Sequence, residues 1–205
     1  IEHGPIALSS EGSVKLNQEI DCSYTSPYSL SLSSEGIGGI TLLGSLKNKG
    51  NGPLTFNACK SDLVLEGRIE SKGDLTLESG GQILLAGTHS KPSSLKTSAG
   101  NIKLSALKGI DLFPLSQIET QEGNLLFSSP GPIFFQEQSK INLSGQGSIT
   151  FQGLSKQPIE SLSLKEAQIK ASVHSNAFHV GPILKGVHMD SATIYIGSGG
   201  VDFKG

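Results

Sequence analysis

The 205-residue chain has 26 glycines, no tryptophan, one methionine, one arginine (Arg68) and a formal charge of −2, a balance unlike the Ala, Glu, Arg and Met that helices favour. At 36% apolar residues it holds enough for a core, which argues against wholesale disorder, while scattered lysines without interleaved aromatics argue against a nucleic-acid partner. No apolar run approaches the roughly eighteen residues of a membrane-spanning helix. The first residue is Ile1 and no charged-then-apolar leader is present, so the chain reads as mature or excised from something longer.

Residues 1–34 include the glycine-led unit Gly12-Ser13-Val14-Lys15-Leu16, with Cys22 and Tyr24, and are expected to form an N-terminal cap or edge segment. From residue 35 to 205 the unit multiplies. Gly36-Ile37-Gly38-Gly39-Ile40 reads as a corner. Gly52-Pro53-Leu54-Thr55-Phe56, Gly73-Asp74-Leu75-Thr76-Leu77 and Gly81-Gln82-Ile83-Leu84-Leu85 follow. Next come Gly100-Asn101-Ile102-Lys103-Leu104, Gly123-Asn124-Leu125-Leu126-Phe127, Gly131-Pro132-Ile133-Phe134-Phe135 and Gly147-Ser148-Ile149-Thr150-Phe151, with an echo at Gly200-Val201-Asp202-Phe203.

In each unit a turn signal precedes a period-two apolar pattern, the mark of a short half-buried strand. Two loops interrupt the series, Thr88–Ser94 with Pro92 and Ser155–Ser161 with Pro158. They are the expected places for partner contacts, because solenoid insertions often carry recognition. Pro158–Ser172 admits a helix with Glu160, Lys165, Glu166 and Lys170 toward water, yet Gln168–Val173 alternates as a strand would.

Spacing separates solenoid from sandwich. Leu54, Leu75, Ile102, Leu125 and Ile149 follow one another at steps of 21, 27, 23 and 24 residues, and Leu125, Ile133, Ile141 and Ile149 at steps of eight. Three strands with corners then make one coil, in the repeat range of solenoids. The fold expected is all-β, a right-handed parallel β-helix with roughly 21–27 residues per coil. An antiparallel sandwich also spaces its strands closely, but hairpins favour Asn-Gly or Asp-Gly turns. Here the Asn and Asp follow the Gly, apart from Asn51-Gly52.

The stretch Gly73-Asp74-Leu75-Thr76-Leu77-Glu78-Ser79-Gly80-Gly81-Gln82-Ile83-Leu84-Leu85-Ala86-Gly87 resembles the repeats of exported β-helical passengers of Gram-negative bacteria, the autotransporter and filamentous-haemagglutinin-like proteins. Gly38-Gly39-Ile40, followed by Leu46–Phe56, is similar to the chlamydial polymorphic membrane proteins, which repeat Gly-Gly-Ala-aliphatic and Phe-x-x-Asn. It departs from them in having Ile40 in place of Ala and Cys59 in place of Asn. The repeat style spans about residues 36–154. The resemblance implies a secreted or cell-surface passenger acting in adhesion or virulence. It also implies a host-cell protein or glycan as partner and an outer-membrane barrel elsewhere in the parent protein as anchor.

Catalytic chemistry has little footing, and no catalytic, metal or cofactor residues are assigned. Glycoside hydrolysis needs two carboxylates flanking one bond, and no two of the six aspartates lie within three residues of each other. Asp62 and Asp74 each precede a leucine at a corner, where a structural role suffices. Glu66, Glu70 and Glu78 are candidate acids for convergence from neighbouring coils, which keeps a polysaccharide lyase or hydrolase as the alternative to a non-catalytic adhesin. His174, His179, His188 and Asp190 are the one polar constellation, at spacings matching no short zinc motif. Cys22 and Cys59 could form one disulfide in an exported protein and would remain thiols in a reducing compartment.

Overall fold

The computed structural model describes residues 5–22, 29–88, 90–155, 157–171, 177–197 and 200–203. Among these every regular element is a β-strand, and the strands come in threes. The first coil runs through β1 (Ile6–Ser10), β2 (Val14–Leu16) and β3 (Ile20–Cys22), the second through β4 (Leu30–Ser34), β5 (Ile40–Leu42) and β6 (Ser45–Asn48). The third and fourth contain β7 (Leu54–Ala58), β8 (Leu63–Leu65), β9 (Arg68–Ser71), β10 (Leu75–Ser79), β11 (Gln82–Leu85) and β12 (Ser94–Thr97). The fifth and sixth contain β13 (Ile102–Ala106), β14 (Gly109–Leu112), β15 (Gln117–Thr120), β16 (Leu125–Ser128), β17 (Ile133–Phe135) and β18 (Lys140–Leu143). The seventh and eighth contain β19 (Ser148–Gln152), β20 (Leu162–Lys165), β21 (Gln168–Ala171), β22 (Ala177–Val180), β23 (Val187–Asp190) and β24 (Thr193–Tyr195), after which β25 (Gly200–Phe203) begins another turn.

Every third strand pairs in parallel with its counterpart one coil on. The result is sheet A (β1, β4, β7 and onward to β25, nine strands), sheet B (β2 to β23, eight strands) and sheet C (β3 to β24, eight strands). A parallel β-helix is therefore the fold. The eight-residue steps from Leu125 to Ile149 are one circuit of it, through β16, β17 and β18 to β19. The segment 1–34 set apart in the sequence supplies β1–β4, which pair with later coils in the same sheets. Pro158–Ser172 holds β20 and β21, so alternation prevails over the helical reading.

The interior is made of columns. Leu54, Leu75, Ile102, Leu125, Ile149 and Phe178 stack rung on rung in sheet A, and all six are buried. Beside them Phe127 and Phe151 stack with ring centroids 4.8 Å apart, and Phe151 lies 5.4 Å from Phe178. Rungs spaced by about 4.8 Å bring like side chains into van der Waals contact down the rod.

The Gly-Asn and Gly-Asp pairs build the corner between sheets C and A. A Cβ on Gly123 would sit 2.5 Å from the carbonyl oxygen of Gly100, and one on Gly147 would collide with that of Gly123. Consecutive coils thus leave no room for a side chain there. The residue after each glycine carries a ladder of hydrogen bonds. Asn101 donates its backbone N–H (2.7 Å) and Nδ2 (3.1 Å) to Asp74 Oδ1. Asn124 donates the same two groups to Asn101 Oδ1, and Ser148 donates its N–H and hydroxyl to Asn124 Oδ1. The corner between sheets B and C turns differently in the later coils, through Leu115, Gln138, Glu166 and Ser191, all non-glycine residues with φ between 49° and 65°.

Candidate functional site

The residues singled out in the sequence fall on separate parts of the rod. Glu66 is exposed at the corner between sheets B and C, Glu70 points outward from sheet C, and Glu78 points outward from sheet A. Glu78 Oε1 accepts a hydrogen bond from Lys103 Nζ at 2.8 Å. The three acids do not converge. Asp62 and Asp74 serve their corners: Asp62 Oδ1 accepts from the N–H of Gln82 at 2.8 Å, and Asp74 starts the asparagine ladder.

His179 lies on β22 in sheet A, where Nδ1 is 3.6 Å from Asp202 Oδ2, while His188 and Asp190 lie on β23 in sheet B. His174 is outside the described residues, as are His3, His89, Tyr24 and Tyr28. Among the described residues no three His, Cys, Asp or Glu side chains gather as a metal site would require. Cys59, in the turn after β7, carries a free and exposed thiol. Cys22 ends β3 in a different sheet, and its side chain is outside the described residues.

The two loops fold back on the rod. Thr88–Ser94 closes on itself through Thr88 N–H to Lys91 O, and Lys91 Nζ donates to the Leu43 carbonyl at 2.8 Å. In Ser155–Ser161, Ile159 is fully buried and bridges to Ile183 of the next coil. The corner tip at Ile37 is 87% exposed.

Sheet C presents a charged ladder. Its outward column reads Asp21, Lys47, Glu70, Lys96, Glu119, Asn142, Lys170, Tyr195 from coil to coil. Shallow grooves run between these side chains, one of them lined by Arg68, Glu70, Lys96 and Glu119. Glu70 and Glu119 are two rungs apart, roughly 9.6 Å on the usual strand spacing. Lys96 stands between them, with Nζ 3.2 Å from Glu119 Oε2.

Sheet B differs from both other faces. Its outward column runs Val64, Leu84, Asp111, Phe134 and then Ser163 on adjacent rungs. Beside it, in the ladder positions just past the strands, come Ala86, Phe113 and Gln136, whose N–H groups donate to the carbonyls of Leu65, Leu85 and Leu112. Phe134 is 39% exposed, and Val64, Leu84, Phe113 and Gln136 are half-buried. Asp111 is the one acid in this apolar stripe. Burial among these neighbours pushes its carboxyl above the ordinary aspartate value, and a hydrogen bond from Gln136 Nε2 to Oδ1 at 2.8 Å offsets this only in part.

Repeat spacing does not single out Asp111, Phe134 and Gln136 as a site, although a signal for the stripe is written in the strands. Leu63-Val64-Leu65, Ile83-Leu84-Leu85 and Ile133-Phe134-Phe135 put an apolar residue at the middle, outward position, where half-buried strands carry a polar one. No family model, curated protein or solved structure matches the chain.

Proposed function

We propose that this chain is a non-catalytic recognition module, a β-helical passenger displayed on a bacterial surface or secreted, whose work is adhesion to a host-cell protein or glycan. The observation that carries the reading is the sheet B stripe: Val64, Leu84 and Phe134 in line around Asp111, on a rod whose other outward columns are rich in polar residues. Apolar side chains lined up on an outward face, partly open to water and bordered by polar residues, are the kind of surface at which soluble proteins meet partners. The stacked fold supports the rest of the reading. A rod built coil upon coil extends without a new core at each step, which suits a stalk that displays a binding face away from a membrane anchor. In this proposal the anchor is an outer-membrane barrel belonging to the parent protein, of the kind implied by the resemblance to Gram-negative exported passengers.

The test is attachment of the fluorescently labelled chain to intact cultured host cells. Saturable binding that falls when Leu84 and Phe134 are both changed to serine is the expected result; no saturable binding to any host cell type would overturn the reading. The alternative, a polysaccharide lyase or hydrolase, draws on the sheet C groove, where Glu70 and Glu119 stand at a spacing near that of inverting glycosidases. Lys96 fills the space between them with an ammonium group, so adhesion is the reading preferred. Release of reducing or unsaturated sugar ends from host glycans, abolished by Glu70→Gln or Glu119→Gln, would establish the alternative instead.

A further inference from the structure

We propose that Asp111 on sheet B is the docking point for a basic side chain, lysine or arginine, presented by a partner protein. The inference rests on the recognition reading for its biological sense and adds the chemistry of the partner.

Three features of the stripe converge on a cation with an apolar stem. The first is charge. Glu78, Glu119, Glu137 and Glu160 each meet a lysine ammonium, and the neutral-bonded Asp62 and Asp74 are exposed to water at their corners, whereas Asp111 is half-buried and meets the neutral amide of Gln136. A carboxylate drawn out of water gains most from an opposite charge that also donates hydrogen bonds. Gln136 uses Oδ1, and among the described residues Oδ2 has no partner. Asparagine would serve the Gln136 contact without any charge to desolvate, so that contact does not by itself require an acid.

The second feature is the ring one rung away. Phe134 is in register with Asp111 and 39% exposed, so a cation held at the carboxylate lies within reach of an aromatic face, which attracts it further. The third is the other side of the column. Leu84 and Val64 continue it for two rungs, about 10 Å at the usual strand spacing. That length takes the methylene stem of a lysine or arginine lying along the rod, its head at Asp111. A sugar ring would set hydroxyls against Leu84 and Val64 and leave the carboxylate charge uncompensated. The stripe therefore favours the basic side chain.

The experiment is an NMR titration of the isotope-labelled chain. The probes are N-acetyl-arginine amide and N-acetyl-lysine amide, with N-acetyl-citrulline amide as the neutral isostere and a methyl hexoside as the sugar control. The expected result is saturable shifts at Val64, Leu84, Asp111 and Phe134 from a basic probe, with a dissociation constant on the order of millimolar for so small a ligand. Citrulline should give none. Asp111→Asn, checked for retained amide dispersion in the same spectra, should weaken the basic probe at least tenfold, and Phe134→Ser should weaken it less. Equal shifts from citrulline, unchanged binding by the Asp111→Asn variant, no saturable shift from either basic probe, or shifts from the hexoside alone would each overturn the proposal. No cell enters this assay. A flat cell assay with a positive titration rejects adhesion and keeps the site; the reverse rejects the site and keeps adhesion.

Discussion

Asp111 shows what a single position can cost on this rod. Its carboxyl is raised by burial beside Leu84 and Phe134, so the protonated form is favoured more in the folded chain than in the unfolded one. Below the ordinary aspartate range both states are protonated and the site costs nothing. As pH rises through that range and then through the raised value, the folded state carries a growing penalty. The Asp111→Asn variant should therefore match the parent in denaturant midpoint at acidic pH and exceed it at neutral pH. The margin should be modest, because a half-exposed group is screened by solvent. A variant less stable than the parent at neutral pH would show that the carboxylate is satisfied in the fold. The corner glycines are the opposite case, positions that only one residue tolerates. Gly123→Ala combines a φ of 120° with a Cβ 2.5 Å from the Gly100 carbonyl oxygen. It should lower unfolding free energy by about 2–4 kcal/mol in chemical denaturation, the scale of severe core or backbone lesions. Asn142→Ala, outward on sheet C, should stay within about 0.5 kcal/mol of the parent.

At the scale of the strand, the period-two pattern was legible wherever inward and outward residues differ in polarity. Leu54-Thr55-Phe56, Leu75-Thr76-Leu77 and Ile102-Lys103-Leu104 announce β7, β10 and β13 outright. The sheet B strands were legible as strands but not as a site, because an all-apolar triplet reads the same whether its middle residue is buried or presented to a partner. The later corners between sheets B and C were not legible either. Leu115, Gln138, Glu166 and Ser191 take positive φ without being glycine. They are held there by coil-to-coil bonds such as Gln138 N–H to Glu166 O and Glu166 N–H to Asp190 O, which a local pattern does not display. The alternating charges of sheet C have a role at this scale, since neighbouring rungs attract in the native register and repel after a slip of one coil. Lys96→Glu would put three like charges on consecutive rungs with Glu70 and Glu119. The expected loss is about 1 kcal/mol at low ionic strength. It should shrink at about 1 M salt, where the screening length falls to roughly 3 Å. A loss unchanged by salt would point to packing of the lysine stem and not to charge.

Across the whole molecule, stability should be graded along the axis, because each coil touches only its neighbours and an inner coil has two of them. The burial follows this grading. Leu54, Leu75, Ile102 and Leu125 are buried in their column, whereas Ile6, at the start of the same column, is 54% exposed, and Val201 near its other end is 50% exposed. Leu8 shows the same behaviour at 57% in the neighbouring column. Burial of apolar area contributes roughly 25 cal/mol per Å², so these end rungs gain much less from packing than the middle ones, while ordering the same number of residues costs the same entropy. Local opening should then begin at β1 and β25 and proceed inward, coil by coil. Hydrogen exchange under native conditions will read this directly, since amides open with free energies from near zero up to the global value. Protection is expected to be highest in β10, β13 and β16 and to fall in both directions. Uniform protection from β4 to β22 that is lost in a single step with denaturant would mean that the rod unfolds as one cooperative block, with inter-coil coupling far stronger than nearest-neighbour packing supplies. A graded profile would mean instead that a force pulling on one end peels coils while the middle rungs, Leu84, Asp111 and Phe134 among them, keep the sheet B stripe intact.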